Sequence, residues 1–231
     1  MKSIEFPPLL TGLAVAGDPF QVACVAATKA EPGTVFYSPD EQVMQAAVLL
    51  APEVPLSEAV GVAFAIALGL NDALGALAPP EVGVHLEWPD RLRVNGARCG
   101  RLRLAAPTAD PQAEPDWLVV GVEVRVLPRD GAEPGEQADQ TCLYEEGCGE
   151  ITSAMLVETW ARHMMNWLHI FLTDGFAPLH EEWRAKAHGL GAAVDYPEPG
   201  SFVGLDEWGG MILKSGDATR ILPLTDYMEP T

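Results

Sequence analysis

Lysine is scarce in this chain of 231 residues, which has only four, at positions 2, 29, 186 and 214. Its 14 lysine and arginine residues are outnumbered by 33 aspartate and glutamate residues, so the formal net charge is −19 at pH 7. A surface this acidic repels the phosphates of nucleic acids and the head groups of anionic membranes. We therefore expect neither nucleic acid nor a membrane as a partner.

Cysteine and long apolar runs are also sparse. The four cysteines include no Cys-x-x-Cys pair, and the N-terminal MKSIEFPPLL lacks the basic and apolar regions of a secretory signal. The longest apolar run, residues 59–70, is too short to cross a bilayer and predicts a buried core helix. These features predict free thiols and a cytoplasmic location. No metal site is expected, because no helical ligand spacing is shared by His163, His169, His180 and His188.

The hydrophobic patterning predicts an α+β fold in two parts. We expect a main domain over 1–189, with a mixed β-sheet covered by helices, and a small C-terminal β domain over 190–231 with three strands within 202–224. Acidic loops are predicted at 106–116 and 128–139. The runs are helical at 18–30, 59–70, 151–174 and 178–188, and β-type at 33–37, 45–50, 82–88 and 117–127.

A compact cationic segment, EWPDRLRVNGARCGRLRL at 87–104, stands out in so acidic a chain. Asn95–Gly96 predicts a hairpin with a type I′ turn, because both residues tolerate positive φ. Strict alternation beyond that turn would place Arg101 and Arg103 among apolar residues. One extra residue at Gly100, a β-bulge, corrects this. The bulge then puts on one face all five arginines of the segment, namely Arg91, Arg93, Arg98, Arg101 and Arg103.

Two interpretations of these arginines stay open on the residues alone. Five like charges repel, so either neighbouring carboxylates pair with them or an anionic ligand does, since arginine forks suit carboxylate and phosphate. His85 and Glu87 share a strand face and could form an acid/base pair with Arg98 beside a bound anion; the alternative is a histidine satisfied by a neighbouring carboxylate. Cys99 falls on the apolar side of the hairpin, which favours an inert thiol over a nucleophile.

The order of several motifs resembles that of the biotin protein ligases. Trp88–Pro89, Val94–Asn95–Gly96 and Arg98 resemble the family pattern of Lys-Trp-Pro-Asn-Asp, a strand, an Asn-Gly-type turn and a catalytic lysine. Residues 117–126 are similar to the family's Gly-Ile-Gly-Ile-Asn strand, and 204–213 to strands of its small SH3-like domain. The chain is identified as a divergent, biotin protein ligase-like member of the biotin/lipoate A/B protein ligase superfamily.

This resemblance implies a reaction in which ATP, with magnesium, activates a carboxylic acid as an acyl-adenylate that is passed to a lysine of an acceptor protein. It implies as partners a small acid of the biotin, lipoate or octanoate class or a nucleotide-like anion, an acyl-acceptor protein, and a second copy in a homodimer. Arg98 takes the place of the catalytic lysine. The implied ligand-binding residues are Trp88, Arg91, Arg93, Asn95, Arg101, Arg103, Glu123 and Arg125.

The chain also departs from the family pattern. SPDEQVM stands where the Gly- and Arg-rich biotin loop belongs, and Glu87 replaces the lysine of Lys-Trp-Pro-Asn-Asp. Arg98 keeps the charge of the catalytic lysine but stays protonated and cannot transfer a proton. Glu123 and Arg125 replace the family's second glycine and its asparagine. Two hypotheses therefore remain: an atypical acyl-adenylate-forming ligase or acyltransferase, or a catalytically degenerate relative that binds a ligand or a protein partner without chemistry.

Overall fold

A mixed seven-stranded sheet forms the centre of the main domain, in a computed structural model that describes residues 4–129, 131 and 139–230. Its strands are β1 (Thr11–Ala14), β2 (Thr34–Tyr37), β3 (Val43–Leu50), β4 (Val84–Glu87), β5 (Arg91–Val94), β6 (Ala97–Ala105) and β7 (Leu118–Arg125). They lie in the order β1-β2-β3-β7-β6-β5-β4. Only the β1–β2 pair is parallel among the described strand pairs of this sheet, so the predicted mixed sheet is confirmed.

Helices cover the two faces of this sheet unequally. Those in the described part of the chain are α1 (Pro19–Ala26), α2 (Leu56–Ala59), α3 (Val62–Leu77), α4 (Ser153–Asp174) and α5 (Ala177–Lys186). The main core lies between the sheet and α3, α4 and α5, whereas α1 packs by itself against β2, β3 and β7 on the other face. The part of that second face beyond α1 is the surface that carries the predicted arginines.

The apolar segment Leu56–Leu77 is a core element. By length and composition it could cross a membrane, with a mean hydropathy of 1.8 in its most apolar window, but 78% of that window is buried inside the fold. Ile66, Leu68 and Leu70 on α3 are fully buried in the main core. The predicted buried core helix is confirmed, and it is longer than the run that predicted it.

A second, four-stranded antiparallel sheet follows the helices. It contains β8 (Ala193–Val194), β9 (Gly200–Leu205), β10 (Met211–Ser215) and β11 (Ala218–Leu222), in the order β11-β10-β9-β8. Trp88 of the main domain donates its indole N–H to the carbonyl of Gly209 at 2.9 Å, and Trp183 on α5 contacts Phe202 edge-on. This unit is consistent with the predicted SH3-like β domain; the boundary between 189 and 190 stays a prediction.

The sequence did not predict β1, because the strand is exposed to solvent. All four residues of Thr11–Ala14 are exposed, so no apolar alternation marks the strand. It exists because Thr11–Ala14 pairs in parallel with β2, and Val15 then donates its N–H to the carbonyl of Tyr37 at 2.9 Å. Backbone pairing at a sheet edge therefore defines this strand, and its side chains leave no periodic signal.

The arginine-rich hairpin has the predicted turn and the predicted bulge. Asn95 and Gly96 have φ values of 49° and 91°. Arg93 lies opposite Arg98 while Leu92 lies opposite Gly100, so the extra residue is Cys99, one position before the predicted Gly100. A Cβ on Gly100 would lie 2.3 Å from the backbone carbonyl oxygen of Glu123. Glycine is thus required where the bulged strand approaches β7 closely.

We expect Gly100→Ala to destabilise the protein by about 1–3 kcal/mol, because β7 backbone must move to admit the methyl group. Gly204→Ala is the matched control, since Gly204 also lies in a strand but has nothing within 4 Å of an added Cβ. That control should change the free energy of unfolding by less than about 0.5 kcal/mol. Urea denaturation measures both, and equal effects would contradict the close approach at Gly100.

Candidate functional site

The candidate site is the set of five side chains that we call the arginine surface: Arg91, Arg93, Arg98, Arg101 and Arg103. Register places them together, because directly opposed residues on antiparallel strands share a face. Arg91 pairs with Arg101, and Arg93 pairs with Arg98. Arg103 follows Arg101 by two residues on β6 and so lies on the same face. The predicted common face is confirmed.

Arg93 is the most extensively paired member of the arginine surface. Its Nε and Nη2 atoms donate to the two carboxylate oxygens of Glu87, both at 2.9 Å, and Nη1 donates to Asp139 at 3.0 Å and to the carbonyl of Gly96 at 2.6 Å. Burial lowers the pKa of Arg93, but these carboxylates outweigh it and hold the pKa above its ordinary value. Only 11% of either the Arg93 or the Glu87 side chain is exposed, so this is an enclosed ion pair.

Arg98, at the position of the implied catalytic lysine, is paired with Asp139. Its Nε atom lies 2.8 Å from Asp139 Oδ2. Backbone bonds fix this contact, because Arg98 N–H donates to the Asp139 carbonyl and Thr141 N–H donates to the Arg98 carbonyl, each at 2.9 Å. Slight burial raises the pKa of Asp139, but the hydrogen bond from Arg93 and the charges of Arg93 and Arg98 lower it below its ordinary value.

Arg103 is held at the other end of the surface by two carboxylates. Its Nε and Nη2 atoms donate to Glu229 at 2.6 and 2.7 Å, and Nη1 donates to Asp18 at 2.5 Å. The guanidinium carbon lies 4.1 Å from the centre of the Phe20 ring. Burial lowers the pKa of Arg103, and the bonds to Glu229 and Asp18 raise it further than burial lowers it.

The two remaining arginines make weaker ion pairs. Arg91 lies 3.7 Å from Glu87 and stacks over the ring of Tyr196 in the C-terminal unit, 3.1 Å from its centre. Arg101 lies 3.3 Å from Glu123, and 49% of its side chain is exposed. An exposed pair such as Arg101–Glu123 contributes only about 0–1 kcal/mol.

The arginine surface is therefore neutralised by the chain itself. The carboxylates that pair with it are Asp18, Glu87, Glu123, Asp139 and Glu229. Glu87 belongs to the same segment, 87–104, and the other four come from other parts of the chain. Of the two interpretations that the sequence left open, this arrangement supports compensation by neighbouring carboxylates. Sequence reasoning did not identify Asp18, Asp139 or Glu229, and no local signal marks them.

A shallow recess adjoins the surface, between the start of α1 and the sheet. Its volume is only about 10 Å³, which is room for no more than about one water molecule, whereas most ligand pockets enclose roughly 300–1,000 Å³. Gly121 on β7 lets α1 approach, because a Cβ there would lie 2.7 Å from the Phe20 ring. The recess is lined by Asp18, Pro19, Phe20, Gln45, Ala46, Arg103, Gly121, Val122 and Glu123.

The other predicted site residues lie around the arginine surface or away from it. Trp88 is 1% exposed in the core, and its ligand contact stays a prediction from the sequence. Asn95 accepts a hydrogen bond from Gly83 N–H and donates to Glu146, so its amide is used in the turn. His85 is exposed opposite Arg93, and Glu87 is committed to Arg93. The acid/base roles of His85 and Glu87 stay predictions from the sequence.

Glu123 and Arg125 occupy one face of β7 beside the arginine surface. Glu123 pairs with Arg101, while Arg125 accepts at its carbonyl a hydrogen bond from Leu143 N–H at 3.0 Å. Among the described residues no cluster of three or more histidine, cysteine, aspartate or glutamate side chains is placed to hold a metal ion. The magnesium that the resemblance implies stays a prediction from the sequence.

Burial makes the thiols near the site weak nucleophiles. Cys99 is 4% exposed, and burial is the main cause that raises its pKa. Burial also raises the pKa of half-buried Cys24 to about 11; the charge of Arg103 lowers it, and the charges of Glu229 and Asp18 raise it. These environments favour the inert thiol that the sequence predicted at Cys99.

We expect Cys24 to react with iodoacetamide about tenfold more slowly at pH 8 than an ordinary thiol of pKa 9.0. A pKa of about 11 lowers the thiolate fraction about 100-fold, and the greater nucleophilicity of a more basic thiolate recovers about tenfold of the rate. The rate should rise as the pH approaches 11. Mass spectrometry of the native protein measures it, with the denatured chain, in which all four cysteines should react, as control. Fast alkylation at pH 8 would contradict the raised pKa.

Comparison with known proteins finds the same fold and the same order of elements. The model of the Biotin/lipoate A/B protein ligase family matches residues 6–185. The chain belongs to that family. Residues 195–230 match a second model, a domain of unknown function (DUF4444). The family resemblance seen in the sequence is thereby confirmed.

Individual members of the family are similar over most of their length. A biotin protein ligase-like protein of unknown function from Silicibacter sp. tm1040 is 45% identical, with a TM-score of 0.92 over 99% of this chain and 100% of that one. A biotin–[acetyl-CoA-carboxylase] ligase from Paracoccus denitrificans is 26% identical over 77% of this chain and 76% of its own length. The biotin protein ligase of Aquifex aeolicus, 18% identical, has the same fold, with a TM-score of 0.72 over 92% of each chain.

Proposed function

We propose that this family member binds a small carboxylic acid of the biotin, lipoate or octanoate class and does not convert it to an acyl-adenylate. The protein would keep the ligand class of its family without the chemistry. A biotin protein ligase from Aquifex aeolicus has been described in complex with biotin and ATP. Binding of these two ligands is therefore the property to compare between the two proteins.

One observation carries the proposal: both positions at which the resemblance requires a free lysine are closed by ion pairs. Arg98, in the place of the catalytic lysine, lies 2.8 Å from Asp139. Glu87, in the place of the other lysine, accepts two hydrogen bonds from Arg93. An arginine cannot transfer a proton at neutral pH, and a carboxylate cannot stabilise a developing negative charge. Neither position therefore offers an unpaired cation to the adenylation step.

The surroundings of these two positions are also unfavourable to ATP. Phosphoryl chemistry needs cations that face the phosphates without competing anions. Asp139 and Glu123 stand on the arginine surface and would repel a triphosphate. A single carboxylate has a smaller requirement, since one bidentate arginine fork satisfies it.

Membership of the family supports the ligand class of this proposal. The recess beside α1 adds little to it, because the recess has room for about one water molecule and Phe20 in its wall is 3% exposed.

Calorimetric titration tests this proposal. We expect octanoate, biotin or lipoate to bind the purified protein, and ATP to give no heat of binding in the presence of magnesium. The biotin protein ligase of Aquifex aeolicus is the positive control for biotin and ATP. Arg98→Ala should leave binding of the acid unchanged, because Arg98 is not assigned to the ligand. Tight ATP binding that Arg98→Ala abolishes would contradict the proposal.

A second candidate function is an atypical ligase or acyltransferase that uses Arg98 to bind an anion. It rests on the solvent exposure of the Arg98–Asp139 ion pair. The side chains of Arg98 and Asp139 are 32% and 56% exposed. A pair so exposed contributes only about 0–1 kcal/mol and could open for a phosphate. Formation of AMP and pyrophosphate separates this candidate from the first. An acyl-acceptor protein as partner belongs to this second candidate alone, and a homodimer and a cytoplasmic location stay predictions from the sequence.

A further inference from the structure

His180 on α5 lies where the main domain meets the C-terminal unit. Its imidazole forms a hydrogen bond to the backbone of Leu205 on β9. The ring also packs against Phe176, with ring centres 5.9 Å apart, and Phe176 in turn meets the C-terminal unit, because a Cβ on Gly209 would lie 3.1 Å from its ring. His180 is therefore one of the residues that hold the C-terminal unit against the helices.

One nitrogen of this imidazole is left without a partner. The Nε2 atom is buried and has no hydrogen-bond partner among the described residues. The bond to Leu205 therefore uses Nδ1. In a neutral imidazole one nitrogen is a donor and the other an acceptor, whereas both are donors once the ring is protonated. Protonation thus places a positive charge and a second N–H donor at a position where the described residues provide no acceptor, which is costly in a buried place.

Two charged side chains face the imidazole and act on it in opposite directions. Arg184 follows one helical turn later on α5, and Asp206 comes directly after β9. Burial and the charge of Arg184 lower the pKa of His180 by more than the Leu205 bond and the charge of Asp206 raise it. Asp206 is also engaged elsewhere, since its Oδ1 atom accepts two backbone N–H groups of its own turn, at 2.9 and 2.7 Å. The docked arrangement therefore favours the neutral ring.

The C-terminal unit contacts three residues that the sequence predicts to bind a ligand. The guanidinium carbon of Arg91 lies 3.1 Å from the centre of the Tyr196 ring. Arg103 donates two hydrogen bonds to Glu229, and the buried indole of Trp88 donates to a carbonyl of the same unit. All three residues belong to the main domain. Weaker docking of the C-terminal unit therefore increases the exposure of all three together.

We propose that the C-terminal unit is a cover over the arginine surface, and that protonation of the buried His180 ring favours its release. The cover stays docked while the ring is neutral. When the ring is protonated, the opened arrangement gains stability, because water then solvates the imidazolium. Opening frees Arg91 and Arg103 from Tyr196 and Glu229. The release does not depend on which ligand binds there, so it stands apart from the proposed function.

The direction of the pH dependence follows from the lowered pKa of His180. A ring that is neutral in the docked state stabilises docking above its ordinary pKa of 6.5, and this contribution is lost as the pH falls through the lowered value. Asp90 accepts a hydrogen bond from Tyr196 at the same boundary, and burial raises its pKa. Acid strengthens docking through Asp90. A loss of docking in acid therefore does not come from Asp90.

Hydrogen–deuterium exchange on the full chain tests this inference. After correction for intrinsic exchange rates, the amides of β9 and β10 should open at least about threefold more often at about pH 5 than at about pH 7. The central strand β3 is the internal reference and should not change. His180→Gln keeps a neutral polar side chain, so its β9 and β10 amides should change by less than about 1.5-fold. His180→Asn should behave in the same way and serves if His180→Gln does not fold.

The indole N–H of Trp88 gives a second readout at a covered residue. Its bond to the Gly209 carbonyl breaks when the cover opens. Its exchange with solvent, observed by NMR and corrected in the same way, should accelerate in acid in parallel with β9 and β10. In His180→Gln this acceleration should be absent.

Two other histidines provide matched controls. Burial also lowers the pKa of His188, but the charges that face His188 all belong to the main domain. His169 is exposed on α4. His188→Gln and His169→Gln should therefore keep the pH dependence of the wild type at β9 and β10.

Three results would overturn the inference. The first is equal protection of β9 and β10 at both pH values in the wild type. The second is a His180→Gln variant that keeps the pH dependence of the wild type. The third is a parallel loss of protection in β3, which would indicate unfolding of the whole chain in acid and no separate release of the C-terminal unit.

Discussion

Trp88→Ala should destabilise the protein by about 3–5 kcal/mol. Trp88 is 1% exposed, and its indole N–H donates to Gly209 at 2.9 Å. Removing it opens a cavity where the main core meets the C-terminal unit and leaves a buried carbonyl without its donor. Tyr227 loses its ring contact in the same change.

Urea denaturation of Trp88→Ala and Trp208→Ala measures this effect with a matched control. Trp208 belongs to the C-terminal unit but is 44% exposed, so its loss should cost less than about 1 kcal/mol. If the two variants unfold at similar urea concentrations, Trp88 does not join the two units. The slope of the transition also matters, because a smaller slope would show that the C-terminal unit has separated.

Arg93→Met should destabilise the protein by up to about 3–5 kcal/mol, because breaking an enclosed ion pair leaves Glu87 with only its longer contact to Arg91. Glu87 would then lose the two hydrogen bonds of Arg93 at 11% exposure, and the carbonyl of Gly96 in the hairpin turn would lose its donor. Methionine preserves most of the volume of the arginine stem. The loss therefore reports the charge and its hydrogen bonds.

Arg101→Met is the control for this prediction on the same surface. Its ion pair with Glu123 spans 3.3 Å at 49% exposure, so the substitution should cost no more than about 1 kcal/mol. Both variants are compared by thermal or urea denaturation at pH 7. A small effect at Arg93 would contradict the view that the arginine surface is structural at this point.

The hairpin was predictable because its signals are local. Asn95–Gly96 fixes the turn, and the period of two decides which side chains share a face. Strict alternation then fails at Gly100, and the failure itself predicts the bulge that the structure contains. Local periodicity likewise predicted α4 to within a few residues and located α3, whose C-terminal end lies beyond the predicted run.

The partners of Arg103 could not be predicted, because they come from distant parts of the chain. Asp18 lies 85 residues from Arg103, and Glu229 lies 126 residues from it. In a sequence with 33 acidic residues, nothing singles out these two. Which carboxylates meet the surface depends on how α1 and the C-terminal tail pack, and that is decided by long-range contacts.

The surroundings of Trp88 could not be predicted from its motif. The resemblance placed Trp88 among the ligand-binding residues, which stays a prediction, and the motif lies within the part of the chain that matches the family. The ring also contacts Gly209 and Tyr227 of the C-terminal unit, which are distant in the sequence. The second acidic loop, predicted at 128–139, has residues 130 and 132–138 outside the described part of the chain, and Asp139 at its end is the residue that pairs with Arg93 and Arg98.

Release of pyrophosphate from ATP is the measurement that tests most directly whether this family member has lost adenylation. The purified protein is incubated with ATP, magnesium and biotin, lipoate or octanoate, alongside the biotin protein ligase of Aquifex aeolicus as positive control. We expect no AMP or pyrophosphate above the rate without protein, because Asp139 and Arg93 neutralise the two positions that adenylation requires. Turnover with any of the three acids, lost in Arg98→Ala, would contradict this and establish Arg98 as the cation of an atypical ligase.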